Sequence, residues 1–309
     1  MIIGKLPTHL LSMQSLTRDH IEAILQRANY FLNSAVKNNA IFSILHGKIV
    51  ATLFFEPSTR TRNSFEIAAK RLGAFIQSVD LKVSALNKGE TILDTVKNLQ
   101  AMGTDFFIIR HSEKDKPTWL AKHLSSGVVI NAGDGDHQHP SQGLIDLMTI
   151  KQYKPCWNEL CVTIIGDIYH SRVANSLIDG LLMMDVSEIR LAAPSQLLPK
   201  TIHDNRIQIF HELDLSLVNT DVIVTLRWQK ERHANPIELT VFRQMFCLTH
   251  EKLALAKSDV IVMHPGPINR EIEITSEVVD GQHSVILQQV RNGVAIRMAI
   301  LDLFSSSTF

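Results

Sequence analysis

The chain has 309 residues, with Lys plus Arg and Asp plus Glu balanced at 31 each. Hydrophobic residues make up 45% and charged residues 20%, the composition of a soluble globular protein too long for one hydrophobic core, so two domains are expected. The neutral balance excludes a global basic field for nucleic acid or a membrane surface, and any anion site must be local. The three cysteines, Cys156, Cys161 and Cys247, lack metal-ligand spacing and predict a reduced, cytoplasmic setting. No window approaches ~18 apolar residues, and the stretch MIIGKLPTHLLSMQSL has no small-residue cleavage site, so neither a membrane span nor a leader is expected.

Thr17 precedes a helical pattern with Ile21, Ile24, Leu25, Ala28 and Phe31 on one stripe. KIVATLFF (48–55) reads as a buried strand, and 62–72 as a helix ended by Gly73. Apolar runs at 74–79, 105–110 and 127–131 then alternate with helical patterns at 91–102 and 116–124, the rhythm of parallel βαβ units. A long helix is predicted over 140–153. The rhythm restarts with strands at 160–166, 187–192, 206–210, 221–226 and 259–263, a helix at 171–184 and further helices around 236–255. The pattern 284–304 is a long amphipathic helix; its periodicity does not place it, and the expectation is that it packs back on the first domain. The predicted fold is thus α/β: two doubly wound parallel-sheet domains with an interdomain cleft, one of residues 1–142 plus 286–309 and one of residues 143–285.

In open α/β sheets, ligands sit beyond the carboxyl ends of the strands, and several polar clusters fall there. Ser58-Thr59-Arg60-Thr61-Arg62 follows the strand 48–55 and opens a helix, whose free N–H groups and dipole favour an anion. Hydroxyls and arginine forks suit phosphate. A capped helix with solvated arginines is the plainer alternative, but a cap needs only one hydroxyl. Arg110-His111 ends the next strand, and NAGDGDHQHPSQ (131–142) delivers His139 and Gln142 to a helix start. The polar loop 80–90 holds Ser84 and Lys88, which a solvated loop would equally explain. In the second half, GDIYHSR (166–172) places Arg172 at a helix start. TLRWQKER (225–232) puts Arg227 and Gln229 on one side of an extended chain, a pair suited to a carboxylate. HPGP (264–267) is a stiff turn with exposed carbonyls. Gly166-Asp167 is not followed by GxGxxG, so no dinucleotide site is expected. One half looks phosphate-seeking and the other carboxylate-seeking.

FFEPSTRTR (54–62), the 84–90 loop, IIRH (108–111), NAGDG with QHPSQ (131–142), GD with Arg172, RWQKER (227–232) and HPGP occur in an order that resembles the aspartate/ornithine transcarbamoylases over nearly the whole chain. The resemblance is to the aspartate branch, which implies transfer of the carbamoyl group of carbamoyl phosphate to L-aspartate, an early step of pyrimidine synthesis. It implies no metal or organic cofactor, and a homotrimer, alone or joined to regulatory chains or a dihydroorotase. By the same resemblance Ser58, Thr59, Arg60 and Thr61 surround the phosphate, and Arg110 bridges phosphate and carbonyl oxygen. Thr61, Arg110 and His139 polarise that carbonyl. Gln142 and the carbonyls around Pro265, Gly266 and Pro267 hold the carbamoyl amino group. Arg172, Arg227 and Gln229 bind the aspartate carboxylates, with Lys88 and Ser84 arriving from the adjacent subunit. Glu56 latches domain closure through Arg172 and Arg232. Two departures stand out: Ser141 replaces a common Thr, and Gly266 replaces Leu or Ala, which predicts added flexibility there. The ornithine branch carries Cys in its HCLP and HPCQ motifs, where this chain reads HPGP and HPSQ. The third alternative is an inactive scaffold homologue, against which every matched position is intact.

Overall fold

The computed structural model describes residues 4–79, 89–229 and 239–305. The chain divides into two compact units, Met1–Ile145 with Arg291–Phe309, and Asp146–Val290. Among the described residues, the first unit holds four parallel strands: β1 (Ile49–Phe54), β2 (Phe75–Ser78), β3 (Phe106–His111) and β4 (Val128–Asp134), in the order β2-β1-β3-β4. The described residues of the second hold five: β5 (Cys161–Ile165), β6 (Glu188–Ala192), β7 (Ile207–Phe210), β8 (Val222–Thr225) and β9 (Ile261–Met263), in the order β7-β6-β5-β8-β9. All pairings between these strands are parallel.

The central strands read as unbroken apolar runs because helices cover both faces of each sheet. In the first unit Ala51, Leu53, Phe107, Ile109 and Val129 pack on one face against Val96 and Leu99 of the helix Ile92–Ala101 and Leu120 of the helix Lys116–His123. Their strand neighbours Val50, Phe106, Ile108, Val128 and Ile130 are equally buried. Each such large side chain contributes roughly 1.5–3 kcal/mol on burial. The terminal helix, Ile286–Ser305, gives its greater part to this unit. There the Arg297 guanidinium lies 4.9 Å from the Phe65 ring centroid, and Asp302 pairs with Arg27. In the second unit Val162, Ile164, Ile189, Leu191, Val222 and Val224 form the corresponding buried rows.

Three local differences from the periodicity have simple causes. The helix expected from residue 62 runs Thr59–Arg71, because its polar first turn carries no apolar stripe to mark it. Strand β4 continues through Asn-Ala-Gly-Asp, its buried polar side chains satisfied by one another rather than by solvent. The helices Leu213–Leu217 and Ser276–Val279 are a single turn each, too short to show a period. No helix among the described residues is long and apolar enough to cross a membrane.

Candidate functional site

In each sheet the chain steps one way from its first strand and then returns to the other side of it. The reversal lies between β1 and β3 in the first sheet and between β5 and β8 in the second. Such a switch point opens a crevice at the carboxyl ends of the strands. The polar motifs of the sequence collect at both of these ends.

In the first unit, Phe54 pairs in register with Arg110, and the Phe55 N–H donates to the Arg110 carbonyl at 2.9 Å. The segment leaving β1 therefore lies beside the end of β3. Ser58 sits at the N-cap of the helix Thr59–Arg71 with extended backbone, yet its hydroxyl makes no capping hydrogen bond. The cap chemistry thus stays available to a ligand at a helix N-terminus of thirteen residues. The two arginines of the motif have different jobs. Arg62 pairs with Glu66 at 3.0 Å, one turn on, whereas Arg60 is exposed and its guanidinium has no hydrogen-bond or ion-pair partner among the described residues. Although part of Arg60 faces solvent, the protein packed around it holds its pKa below the ordinary arginine value through desolvation. It remains a cation, as arginine does in proteins.

Arg110 occupies the register shift between Ile109 and His111 in the β3–β4 ladder. Its Nη1 donates to the Ala132 carbonyl at 3.3 Å and its Nε lies 3.2 Å from Glu56 Oε2. Beside it, His111 accepts the Glu113 N–H on Nδ1 at 2.9 Å, and burial pushes its imidazole pKa down. His139 is buried immediately before the helix Pro140–Tyr153; its carbonyl accepts the N–H groups of Gln142 and Gly143. Its Nε2 lies 3.4 Å from Thr61 Oγ1 and its Nδ1 3.5 Å from Ser141 Oγ. Ser58, Thr59, Arg60, Thr61, Arg110, Glu56, His139 and Gln142 all belong to this unit.

One residue the motif reading passed over organises that loop. Asp134 is buried, and its Oδ1 accepts from Asn131 Nδ2 at 2.8 Å and the Gln138 N–H at 3.0 Å. Its Oδ2 accepts from the Asp115 N–H at 2.8 Å and lies 3.2 Å from His137 Nδ1. Asp115, Asp134 and His137 bring potential metal-ligand atoms within 4.8 Å of one another. The oxygens of Asp134 already serve these four neighbours, so the cluster reads as a hydrogen-bond hub for the 131–139 loop. An aspartate between glycines is the only signal the sequence offered for it.

In the second unit, Gly166 follows β5 with φ +117, and a Cβ there would stand 3.0 Å from the Leu226 carbonyl. Only glycine lets the chain after β8 pass so close. Ser171 caps the helix Arg172–Met183 by accepting the Ala174 N–H, and Arg172 is buried at its first position. Buried Asp167 holds His170 Nδ1 at 2.7 Å, and the His170 carbonyl accepts Gln229 Nε2 at 3.2 Å. Trp228 is buried against Phe242, ring centroids 4.3 Å apart, while Arg227 and Gln229 on either side of it stay half-buried. That alternation puts the two polar side chains on the face opposite the tryptophan anchor. Gly266 and Pro267 follow β9 in the same unit, with Gly266 at φ +72. Its N–H donates to His264 Nδ1 at 2.8 Å. Ser84, Lys88 and Arg232 lie outside the described residues.

Two family models match the chain: the carbamoyl-P binding domain of aspartate/ornithine carbamoyltransferase over residues 8–152, and the Asp/Orn binding domain of the same family over 158–304. Over 302 residues the chain is 67% identical to the aspartate carbamoyltransferase catalytic subunit of Coxiella burnetii, covering 98% of this chain and 97% of that one. It is similar in structure to aspartate transcarbamoylase of Trypanosoma cruzi in complex with N-(phosphonacetyl)-L-aspartic acid, with TM-score 0.88, 29% identity and 97% of each chain covered. Ornithine carbamoyltransferase of Thermus thermophilus is also similar, with TM-score 0.84, 26% identity, and 97% of this chain and 99% of that one covered. Backbone likeness alone therefore does not separate the two branches.

Proposed function

The chain belongs to the aspartate/ornithine carbamoyltransferase family, and from that premise we propose that it transfers the carbamoyl group of carbamoyl phosphate to the amino group of L-aspartate, giving N-carbamoyl-L-aspartate and phosphate for pyrimidine synthesis. The observation that carries the reading is Thr61 beside His139, with Arg110 at the carboxyl end of β3, the strand between β1 and β4. Attack of a neutral amine on the carbonyl carbon builds negative charge on the carbonyl oxygen. Donors held in place for that charge supply several kcal/mol, ~3–4 for a single strong one. In this reading Ser58, Thr59, Arg60 and Thr61 hold the phosphate at the helix N-terminus, and Arg110 spans phosphate and carbonyl oxygen. Gln142 and the turn carbonyls near Gly266 and Pro267 hold the carbamoyl amino group. The departing phosphate accepts the amine proton, and orientation of two small anions supplies much of the remaining acceleration.

Aspartate is favoured over ornithine by the second unit. Arg227 and Gln229 flank a buried tryptophan and, with Arg172, suit a dicarboxylate. The HPGP and HPSQ stretches lack the cysteines of the ornithine branch. We further assign a homotrimer in which Ser84 and Lys88 of one chain complete a neighbour's site, with Glu56 and Arg232 acting in domain closure. Free Cys156, Cys161 and Cys247 fit a reduced cytoplasmic setting.

The test is direct. Purified protein is given carbamoyl phosphate with L-aspartate or with L-ornithine, and both carbamoylated products are quantified. Carbamoyl-aspartate alone is the expected product. Citrulline as the main product would move the chain to the ornithine branch, and no product would make it an inactive homologue.

A further inference from the structure

Beyond the strand-end residues, the second unit buries a histidine–carboxylate hydrogen bond that the reaction as described does not use. His264 and Glu273 have side-chain exposures of 0% and 1%, and His264 Nε2 lies 3.2 Å from Glu273 Oε1. The Gly266 N–H donates to His264 Nδ1 at 2.8 Å, so that nitrogen carries a lone pair and the ring proton sits on Nε2, donating to Glu273. The same Glu273 oxygen accepts the Asn269 N–H at 2.6 Å. One carboxylate oxygen thus anchors both the imidazole and the far end of the turn, while the imidazole anchors its middle. The His264 N–H is in turn held by Gln289 Oε1 at 2.9 Å, and Gln289 Nε2 donates to Asp146 at 2.9 Å. The turn that carries Pro265, Gly266 and Pro267 is therefore braced from inside at three points.

We propose that His264 and Glu273 are positioning residues for carbamoyl transfer, aiming the backbone carbonyls of the 265–267 turn at the carbamoyl amino group. The inference rests on the proposed function above and deepens it. A backbone carbonyl cannot be adjusted by a rotamer, so its direction is set by whatever fixes the flanking peptide planes. Here that is the Gly266 N–H bond to the imidazole and the Asn269 N–H bond to the carboxylate. Misplacement of a reacting group by about 1 Å costs on the order of a hundredfold in rate. Both side chains are buried beneath the turn, so their effect should fall on the carbamoyl group and not on the phosphate, which the proposed function assigns to the first unit.

Glu273 offers a clean variant series because its second oxygen, Oε2, has no hydrogen-bond partner among the described residues. Glu273→Gln keeps an oxygen facing both donors and puts its NH2 where nothing accepts it. It should melt lower than wild type yet keep kcat/KM for carbamoyl phosphate within about threefold. Glu273→Ala releases both donors, and should lose roughly ten- to a hundredfold in kcat/KM for carbamoyl phosphate. His264→Asn retains an acceptor for the Gly266 N–H and should fall between the two. Inorganic phosphate, titrated as an inhibitor and by calorimetry, should bind all variants as it binds wild type. Activity that simply tracks melting temperature across the series would overturn the proposal, as would phosphate affinity falling in step with that for carbamoyl phosphate. Unchanged kinetics in folded Glu273→Ala and His264→Asn would also overturn it, leaving the proposed function intact. A wild-type protein that carbamoylates nothing removes the proposed function and this inference together.

Discussion

Thr61 Oγ1 lies 3.4 Å from His139 Nε2, although 78 residues separate them in the chain. Thr61 stands in the first turn of a helix that follows β1, and His139 closes the loop that follows β4. They meet because β1 and β4 flank β3 in one parallel sheet, which brings their carboxyl ends to the same edge. Both side chains are buried, so neither is spent on solvent.

His139→Ala tests whether that imidazole serves the transition state. Loss of one oxyanion donor costs roughly 2–4 kcal/mol, about thirty- to a thousandfold in kcat. Calorimetric affinity for carbamoyl phosphate should weaken much less. Near-normal turnover would reduce His139 to a helix-start residue.

Arg227→Ala should raise the aspartate KM and lower kcat together, because an arginine fork orients the nucleophile as well as binding it. Carbamoyl phosphate binding, measured without aspartate, should stay close to wild type. The opposite pattern would reverse the assignment of the two units.

Glu66 predicts an acid-sensitive contribution to stability. Burial alone would raise its pKa, but hydrogen bonds from Arg62 and Ser78, the Arg62 charge and a bond from Thr52 outweigh burial and lower it. A depressed folded pKa contributes stability that is present above the unfolded value, ~4.3, and is lost as pH falls through the folded one. Thermal melts of wild type and Glu66→Gln should therefore differ most at neutral pH and converge as pH falls from the unfolded value through the lower folded one. A constant difference across that range would mean that Glu66 keeps the same protonation in both states.

The proposed trimer with a shared site is tested by mixing two variants expected to be inactive, Arg60→Ala and Lys88→Ala, after dissociation. A mixed three-membered ring contains one junction between an intact Arg60 body and an intact Lys88 loop. Random mixing makes about three quarters of rings mixed, each with one good site in three, so activity should return to about a quarter of wild type. Mixed trimers confirmed by mass but still inactive would confine Lys88 to its own chain or to no catalytic role.

The sequence by itself determined the elements and their chemistry. The stretch 140–153 was legible as a helix and is one, Pro140–Tyr153. The strand pattern was legible because parallel strands buried on both faces show as apolar runs between helical periods. The candidate motifs were legible as polar clusters at the ends of the expected strands, where open α/β sheets bind ligands. Tertiary structure alone decided which of them meet. Sheet order, not chain order, places Arg110 beside Phe54 and Thr61 beside His139. It alone separated Arg62, held by Glu66, from exposed Arg60, two residues with the same local reading. The buried polar residues around the candidate site were the least legible: Asp134 in its glycine-rich loop, the Asp167–His170 pair, and Glu273 nine residues beyond His264. Periodicity reports which face of an element is buried, whereas a buried polar residue is chosen by partners whose distance along the chain is set only when the strands have packed.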